Sequence, residues 1–214
     1  MSMNLDGCFF DLDGTLCDTA PDIVACWRQT LETRGLPWEC FEAGFRIGPP
    51  LEPTIRGIYP DRAQEWIAEL ISEFRAMYLD CGFPKTRPYP GIPELLEELR
   101  KRGVRLFVAT NKSRAPSLKI LRENGLLDYF EEVLTPESST GGNQTKAELL
   151  KSALQRHGLT PSSCAMIGDT PGDIQAGKAA GMQTVGVLWG YGDPTELKLE
   201  KIMLITRPDE LPGE

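Results

Sequence analysis

Histidine is almost missing from this chain of 214 residues; His157 is its only one. It falls near the end of a predicted helix, just before Gly158, where an imidazole is an ordinary C-terminal residue. Acid–base chemistry is therefore expected from carboxylates. No Cys-x-x-Cys pair is present, and Cys8, Cys17, Cys26, Cys40, Cys81 and Cys164 read as reduced, structural thiols. No apolar run approaches the length of a membrane span, so a membrane partner is not expected. The chain also lacks a cluster of basic residues. With Lys and Arg spread along it and a net charge of -8, the electrostatic case for a nucleic acid polymer is absent. Residues Met1 to Asp6 show no basic region followed by an apolar one, which leaves the cytoplasm as the expected compartment. There is no internal repeat and no low-complexity tract.

What remains is an ordinary soluble composition, long enough for one domain or for a core domain carrying an insertion. Short apolar runs alternate with helical patterns. Strands are predicted at Gly7 to Phe10, Val104 to Ala109, Glu132 to Leu134, Cys164 to Ile167, Thr184 to Val187 and Ile202 to Ile205. Between them, helices are predicted at Ile92 to Arg102, Ser113 to Asn124, Lys146 to His157 and Gly172 to Ala180, with glycine closing several of them. That rhythm predicts an α/β fold, a doubly wound parallel sheet covered on both faces. From about Pro21 to Cys81 the pattern is helical throughout, and the Pro-rich run Phe83 to Gly91 follows it. This stretch is read as a helical insertion, with Thr15 to Ala20 as the outgoing hinge and Phe83 to Gly91 as the returning one.

In an open parallel sheet, ligands bind beyond the carboxyl ends of the strands. Directly after the first predicted strand stands Asp11-Leu12-Asp13-Gly14-Thr15. Residues two apart in extended chain point the same way, so both carboxylates can face one pocket while Gly14 turns the chain away. One can attack phosphorus and the other can move a proton, and two like charges so close call for a cation such as Mg2+. A calcium loop does not fit. Counting from Asp11, Leu16 stands where the turn glycine belongs and Asp22 where a bidentate Glu belongs. An Asp-Gly hairpin turn does not fit either, because Thr19-Ala20-Pro21-Asp22 looks like a helix start rather than a partner strand.

The later strand ends supply complementary groups. Thr110 and Asn111 offer a hydroxyl and N–H donors for a phosphate, and Lys146, behind Gly141-Gly142-Asn143-Gln144, can neutralise charge on a transferred group. Asp169 and Asp173 fall on one face if a helix begins by Pro171, and Asp11 with Asp169 is the candidate pair of Mg2+ ligands. Arg46, in Gly44 to Pro50, is a candidate for substrate specificity, because its fork of donors suits an anionic or hydroxylated leaving group.

In order and spacing, Asp11-Leu12-Asp13-Gly14-Thr15, Thr110, Lys146 and Gly168-Asp169 with Asp173 resemble the motifs of the haloacid dehalogenase superfamily, in its phosphatase branch. The resemblance covers nearly the whole chain. It implies a Rossmann-like core of residues 1–15 and 88–214 and a small helical cap of residues 16–87. It also implies Asp11 as nucleophile, Asp13 as general acid and base, and Mg2+ held by Asp11, the Asp13 carbonyl and Asp169. Thr110 and Lys146 would then bind phosphate, with Asp173 as an outer or water-mediated metal partner.

Tyr89 to Leu96, Asn111-Lys112-Ser113, Asp169 to Gly177 and Gly186 to Gly192 look like phosphoglycolate phosphatase-like proteins. Thr145-Lys146-Ala147 departs from the Lys-Pro form common there, and this variant also resembles nucleotidase-like relatives. The expectation is a Mg2+-dependent hydrolase of a small phosphate ester, phosphoglycolate-like or nucleotide-like, working as a monomer or homodimer. A sugar phosphomutase and a non-catalytic phosphate-binding protein are the alternatives. Thr15 argues against the mutase, since mutases of this superfamily often carry Val or Ile there.

Overall fold

The computed structural model describes residues 5–138 and 144–211. Its strands are β1 (Gly7–Phe10), β2 (Cys17–Asp18), β3 (Arg87–Pro88), β4 (Arg105–Ala109), β5 (Glu132–Leu134), β6 (Cys164–Gly168), β7 (Gln183–Val187) and β8 (Met203–Ile205). The helices are α1 (Ala20–Thr33), α2 (Trp38–Gly44), α3 (Leu51–Ile58), α4 (Gln64–Asp80), α5 (Ile92–Lys101), α6 (Arg114–Glu123), α7 (Lys146–His157), α8 (Pro171–Ala179) and α9 (Pro194–Leu199). Every predicted strand of the main sheet is present within a residue of its expected ends.

Six strands pair in the order β5-β4-β1-β6-β7-β8, and every pairing is parallel. The central strands are apolar because both faces are covered, which is why they read as runs rather than alternations. Successive side chains of β1 serve opposite layers. Cys8 and Phe10 join Leu106, Val108 and Ile167 in a core shared with α5, α6 and the helical segment, whereas Phe9 joins Phe107 and Met166 under α7 and α8. Phe9 and Phe107 stack with ring centroids 4.5 Å apart.

The helical segment forms four helices rather than one continuous stretch. Pro37 and Pro50 stand immediately before α2 and α3, where a ring-fixed φ starts a helix but cannot continue one. Trp27 of α1 is fully buried, stacked on Phe74 of α4 at 4.0 Å and tilted against Phe41 of α2 at 4.7 Å. The expected hinges contain more order than irregular chain: β2 and β3 pair antiparallel, Cys17 with Pro88 and Asp18 with Arg87. Asp22 secures the returning strand by accepting from the Lys85 and Thr86 backbones and the Thr86 hydroxyl. No helix among the described residues is long and apolar enough to cross a membrane.

Candidate active site

The parallel register sets the site. Phe10 lies opposite Val108 on one side and Ile167 on the other, so the residues that follow each strand emerge together at one edge of the sheet. Asp11, Asp13, Thr110, Asp169, Asp173 and Lys146 all meet there, and all are buried. The Asp11 backbone N–H still donates to the Ile167 carbonyl at 2.9 Å, which fixes its carboxylate at the strand end.

Two glycines make room. Gly14 has φ +82, in the left-handed region, and a Cβ there would collide with the Asp169 carboxylate. A Cβ on Gly190 would strike the Gly14 carbonyl and the same carboxylate. Asp169 is thus enclosed, and its oxygens accept from the Thr15 hydroxyl at 3.2 Å, the Tyr191 N–H at 2.8 Å and the Gly192 N–H at 3.3 Å.

Lys146 begins α7 behind a capping box of Thr145 and Glu148, which directs its side chain across the sheet edge. Its ammonium donates to Asp11 Oδ1 at 3.0 Å and to Asp173 Oδ1. Asp173 has two duties. Its other oxygen accepts from the Thr170 N–H and hydroxyl at the start of α8, so the capping role and the site role belong to one carboxylate. Gly141, Gly142 and Asn143, which precede Lys146, lie outside the described residues.

Charge is concentrated here against the cost of burial. Burial, reinforced by Asp173, Asp169 and Asp13 and opposed by Lys146, pushes the Asp11 carboxyl up to about 8. Burial and then Asp173 push Asp169 up to about 6, against the Tyr191 N–H. For Lys146, burial works against the charge, but Asp11 and Asp173 outweigh it and hold the ammonium above its ordinary value. The nearby thiol of Cys17 is pushed up to about 12 by burial and then by Asp13, which removes it as a rival nucleophile.

Asp11, Asp169 and Asp173 each offer an oxygen within 4.8 Å of the others. Three buried carboxylates sharing one ammonium leave excess negative charge, and an all-oxygen donor set suits a hard divalent cation. The Asp13 carbonyl accepts no hydrogen bond among the described residues and is a further free donor. The residues present fit a metal of the Mg2+ type.

Asp13 faces the other way. Both its oxygens accept from Lys112 Nζ at 2.9 Å, and Oδ1 also accepts from the Thr19 hydroxyl at 2.7 Å. The sequence places Lys112 beside Thr110 and Asn111 at the end of β4 but assigns it no role of its own. Thr110 Oγ1 accepts from the Lys112 N–H at 3.1 Å. The Asn111 side chain donates one of its two amide N–H groups to the Gly48 carbonyl at 2.9 Å, tying the loop after β4 to the helical segment. In the sequence Tyr191 stands out only as part of the run Gly186 to Gly192. Its hydroxyl accepts from the Thr19 and Ala20 N–H groups at 2.6 and 2.9 Å and donates to Asp18 at 2.7 Å, capping α1 from a distant loop.

A cavity of about 710 Å3 lies between this edge and the helical segment, reaching from Asp13 and Lys112 to Phe45, Arg46 and Arg75. Arg46 is exposed at its rim and donates to the Ala43 and Phe45 carbonyls. Neither Arg46 nor Arg75 has a carboxylate partner among the described residues. His157, by contrast, lies away from the site, between Arg105 and Glu132.

The haloacid dehalogenase-like hydrolase family model matches residues 8–187. The chain is 38% identical over 184 residues to tyrosine-protein kinase PtkA of Mycobacterium tuberculosis, covering 86% of this chain but 62% of that protein's length. It is 36% identical over 213 residues to the phosphoglycolate phosphatase of Neisseria gonorrhoeae, covering 95% of this chain and 87% of that one. Among solved structures, a haloacid dehalogenase-like family hydrolase from Streptococcus pneumoniae superposes with a TM-score of 0.85 at 28% identity, over 97% of each chain. This chain belongs to the haloacid dehalogenase-like hydrolase family.

Proposed function

We propose that this member of the family is a Mg2+-dependent phosphatase that hydrolyses a small phosphate ester through an aspartyl-phosphate. The observation that carries the reading is the buried juxtaposition of Asp11, Asp169, Asp173 and Lys146 beside Asp13. Asp11 forms the new bond to phosphorus as the bond to the leaving oxygen breaks, and Asp13 gives that oxygen its proton. Asp13 then takes a proton from the water that attacks the phosphorylated Asp11, which releases phosphate and restores both carboxylates. Lys146, the Thr110 hydroxyl and the Asn111 N–H hold the phosphoryl oxygens. Asp11, Asp169 and the Asp13 carbonyl would hold the cation, with Asp173 as an outer or water-mediated partner, and the cation would neutralise phosphoryl charge.

The chain divides, in this reading, into a core of residues 1–15 and 88–214 and a cap of residues 16–87. The cap selects the substrate. A cavity of about 710 Å3 suits a compact ester. Two arginines at this cavity without acidic partners among the described residues, in a chain of net charge -8, favour an anionic leaving group of the phosphoglycolate kind. The test is a panel of small phosphate esters assayed for phosphate release with Mg2+ and with chelator, alongside ATP and a tyrosine peptide. Metal-dependent release, strongest for a small anionic ester, is expected. Transfer from ATP to tyrosine in place of hydrolysis, or full activity in chelator, would overturn the assignment.

A further inference from the structure

The acid–base carboxylate is held by a lysine that the helical segment itself supports. Lys112 Nζ is equidistant from both Asp13 oxygens at 2.9 Å, and the pair is nearly inaccessible to solvent. An ionised carboxylate offers about four lone-pair positions. Lys112 takes one on each oxygen and the Thr19 hydroxyl takes the second on Oδ1, so one position is left, on Oδ2. The ammonium also lies 4.5 Å from the ring centre of Tyr78, on α4. Tyr78 is buried and its hydroxyl has no hydrogen-bond partner among the described residues, so in this arrangement its contribution to the pair is the aromatic face.

We propose that Lys112 is a positioning residue that leaves only Oδ2 of Asp13 open to proton transfer, and that Tyr78 ties its placement to the helical segment. The proposal rests on the assignment of Asp13 as acid and base. Three segments distant in sequence meet in this contact: the loop after β1, the loop after β4, and α4. A displacement of α4 then moves the support of Lys112, and with it the open oxygen of Asp13. Acid–base transfer becomes dependent on where the helical segment sits, without that segment touching the phosphoryl group.

The experiment compares kcat/KM for an alkyl and an aryl phosphate, which reports steps up to loss of the leaving group, with the inhibition constant of inorganic phosphate as a measure of binding. Asp13→Asn is the reference and should lose far more on the alkyl ester, whose leaving oxygen needs the proton. Lys112→Met should shift the alkyl-to-aryl ratio the same way, by about 10- to 100-fold, with little change in phosphate inhibition. Lys112→Arg should recover part of that ratio. Tyr78→Leu should lower it by about 3- to 10-fold, and Tyr78→Phe, which keeps the ring, should restore it. Thermal unfolding of each variant separates these effects from loss of fold. Equal losses on both esters for Lys112→Met and for Lys112→Arg, or losses confined to phosphate inhibition, would overturn the positioning role. If Asp13→Asn itself shows no leaving-group dependence, the acid–base assignment fails, and the inference fails with it.

Discussion

Raising the pH in chelator should destabilise this protein, and Mg2+ should abolish that dependence. The ordinary carboxyl value of Asp169 is 3.8 and its folded value is about 6; for Asp11 the folded value is about 8. Both protons are held more tightly in the folded state. The folded chain therefore carries more protons than the unfolded one above pH 3.8, and stability falls as pH rises through the folded values. Between about pH 5 and about pH 8 Asp169 alone loses about 1.4 kcal/mol, because only the single pH unit from 5 to its folded value counts, at about 1.4 kcal/mol per unit. Asp11 adds in the same direction. For a chain of this size, about 1.4 kcal/mol lowers Tm by roughly 3 to 6 °C.

Glu73, Glu131, Glu132, Glu148, Glu200 and Glu210 are held below their ordinary 4.5, so the stability they contribute is lost only on acidification. Lys146 is raised and loses its contribution only on the alkaline side of its ordinary 10.5. A cation held at Asp11 and Asp169 favours their ionised forms and removes the penalty. The assay is thermal unfolding at about pH 5 and about pH 8, in chelator and in excess Mg2+. A chelated protein whose Tm is unchanged or rises over that interval, or the same slope with and without Mg2+, would refute the reasoning.

Asp11→Asn should lose at least about 10³-fold in kcat while circular dichroism stays native, because the change is nearly isosteric but removes the nucleophilic charge. Asp169→Ala should raise the Mg2+ concentration for half-maximal activity by at least about tenfold, read from a metal titration at saturating substrate. Arg46→Ala should raise KM for the best anionic ester about 10-fold and for an aryl phosphate less than about 3-fold, in parallel steady-state assays. Tyr191→Phe should cost about 1 to 3 kcal/mol in urea unfolding, because it strips the acceptor from two N–H groups at the start of α1 and the donor from Asp18.

The sheet was legible because burial on both faces leaves a strong mark: Gly7 to Phe10 and Cys164 to Ile167 are apolar and buried throughout, and such runs need no long-range information to recognise. Helix ends were legible where a backbone requirement is written in one residue. Gly158, at φ 64, closes α7 where expected. The two-residue strands β2 and β3 left no such mark. They pair polar and proline-bearing segments about seventy positions apart, and nothing local distinguishes them from hinge.

The site divides along the same line. Asp11, Asp13, Thr110, Lys146 and Asp169 could be found because each sits at a strand or helix end, where sequence position alone places a side chain at the ligand edge. Lys112 shares that strand end, but its role and that of Tyr191 were not legible, since their partners lie 99 and 172 residues away and nothing in the spacing names them. The difference is physical. Strand ends deliver the carboxylates to one place, but those charges repel one another and resist burial, so the folded chain must recruit separate groups to hold them. Lys146 meets Asp11 and Asp173, Lys112 meets Asp13, and the backbone of Tyr191 and Gly192 meets Asp169. The carboxylates proposed to do the chemistry are thus placed by topology, whereas the contacts that make their burial tolerable are set by tertiary packing.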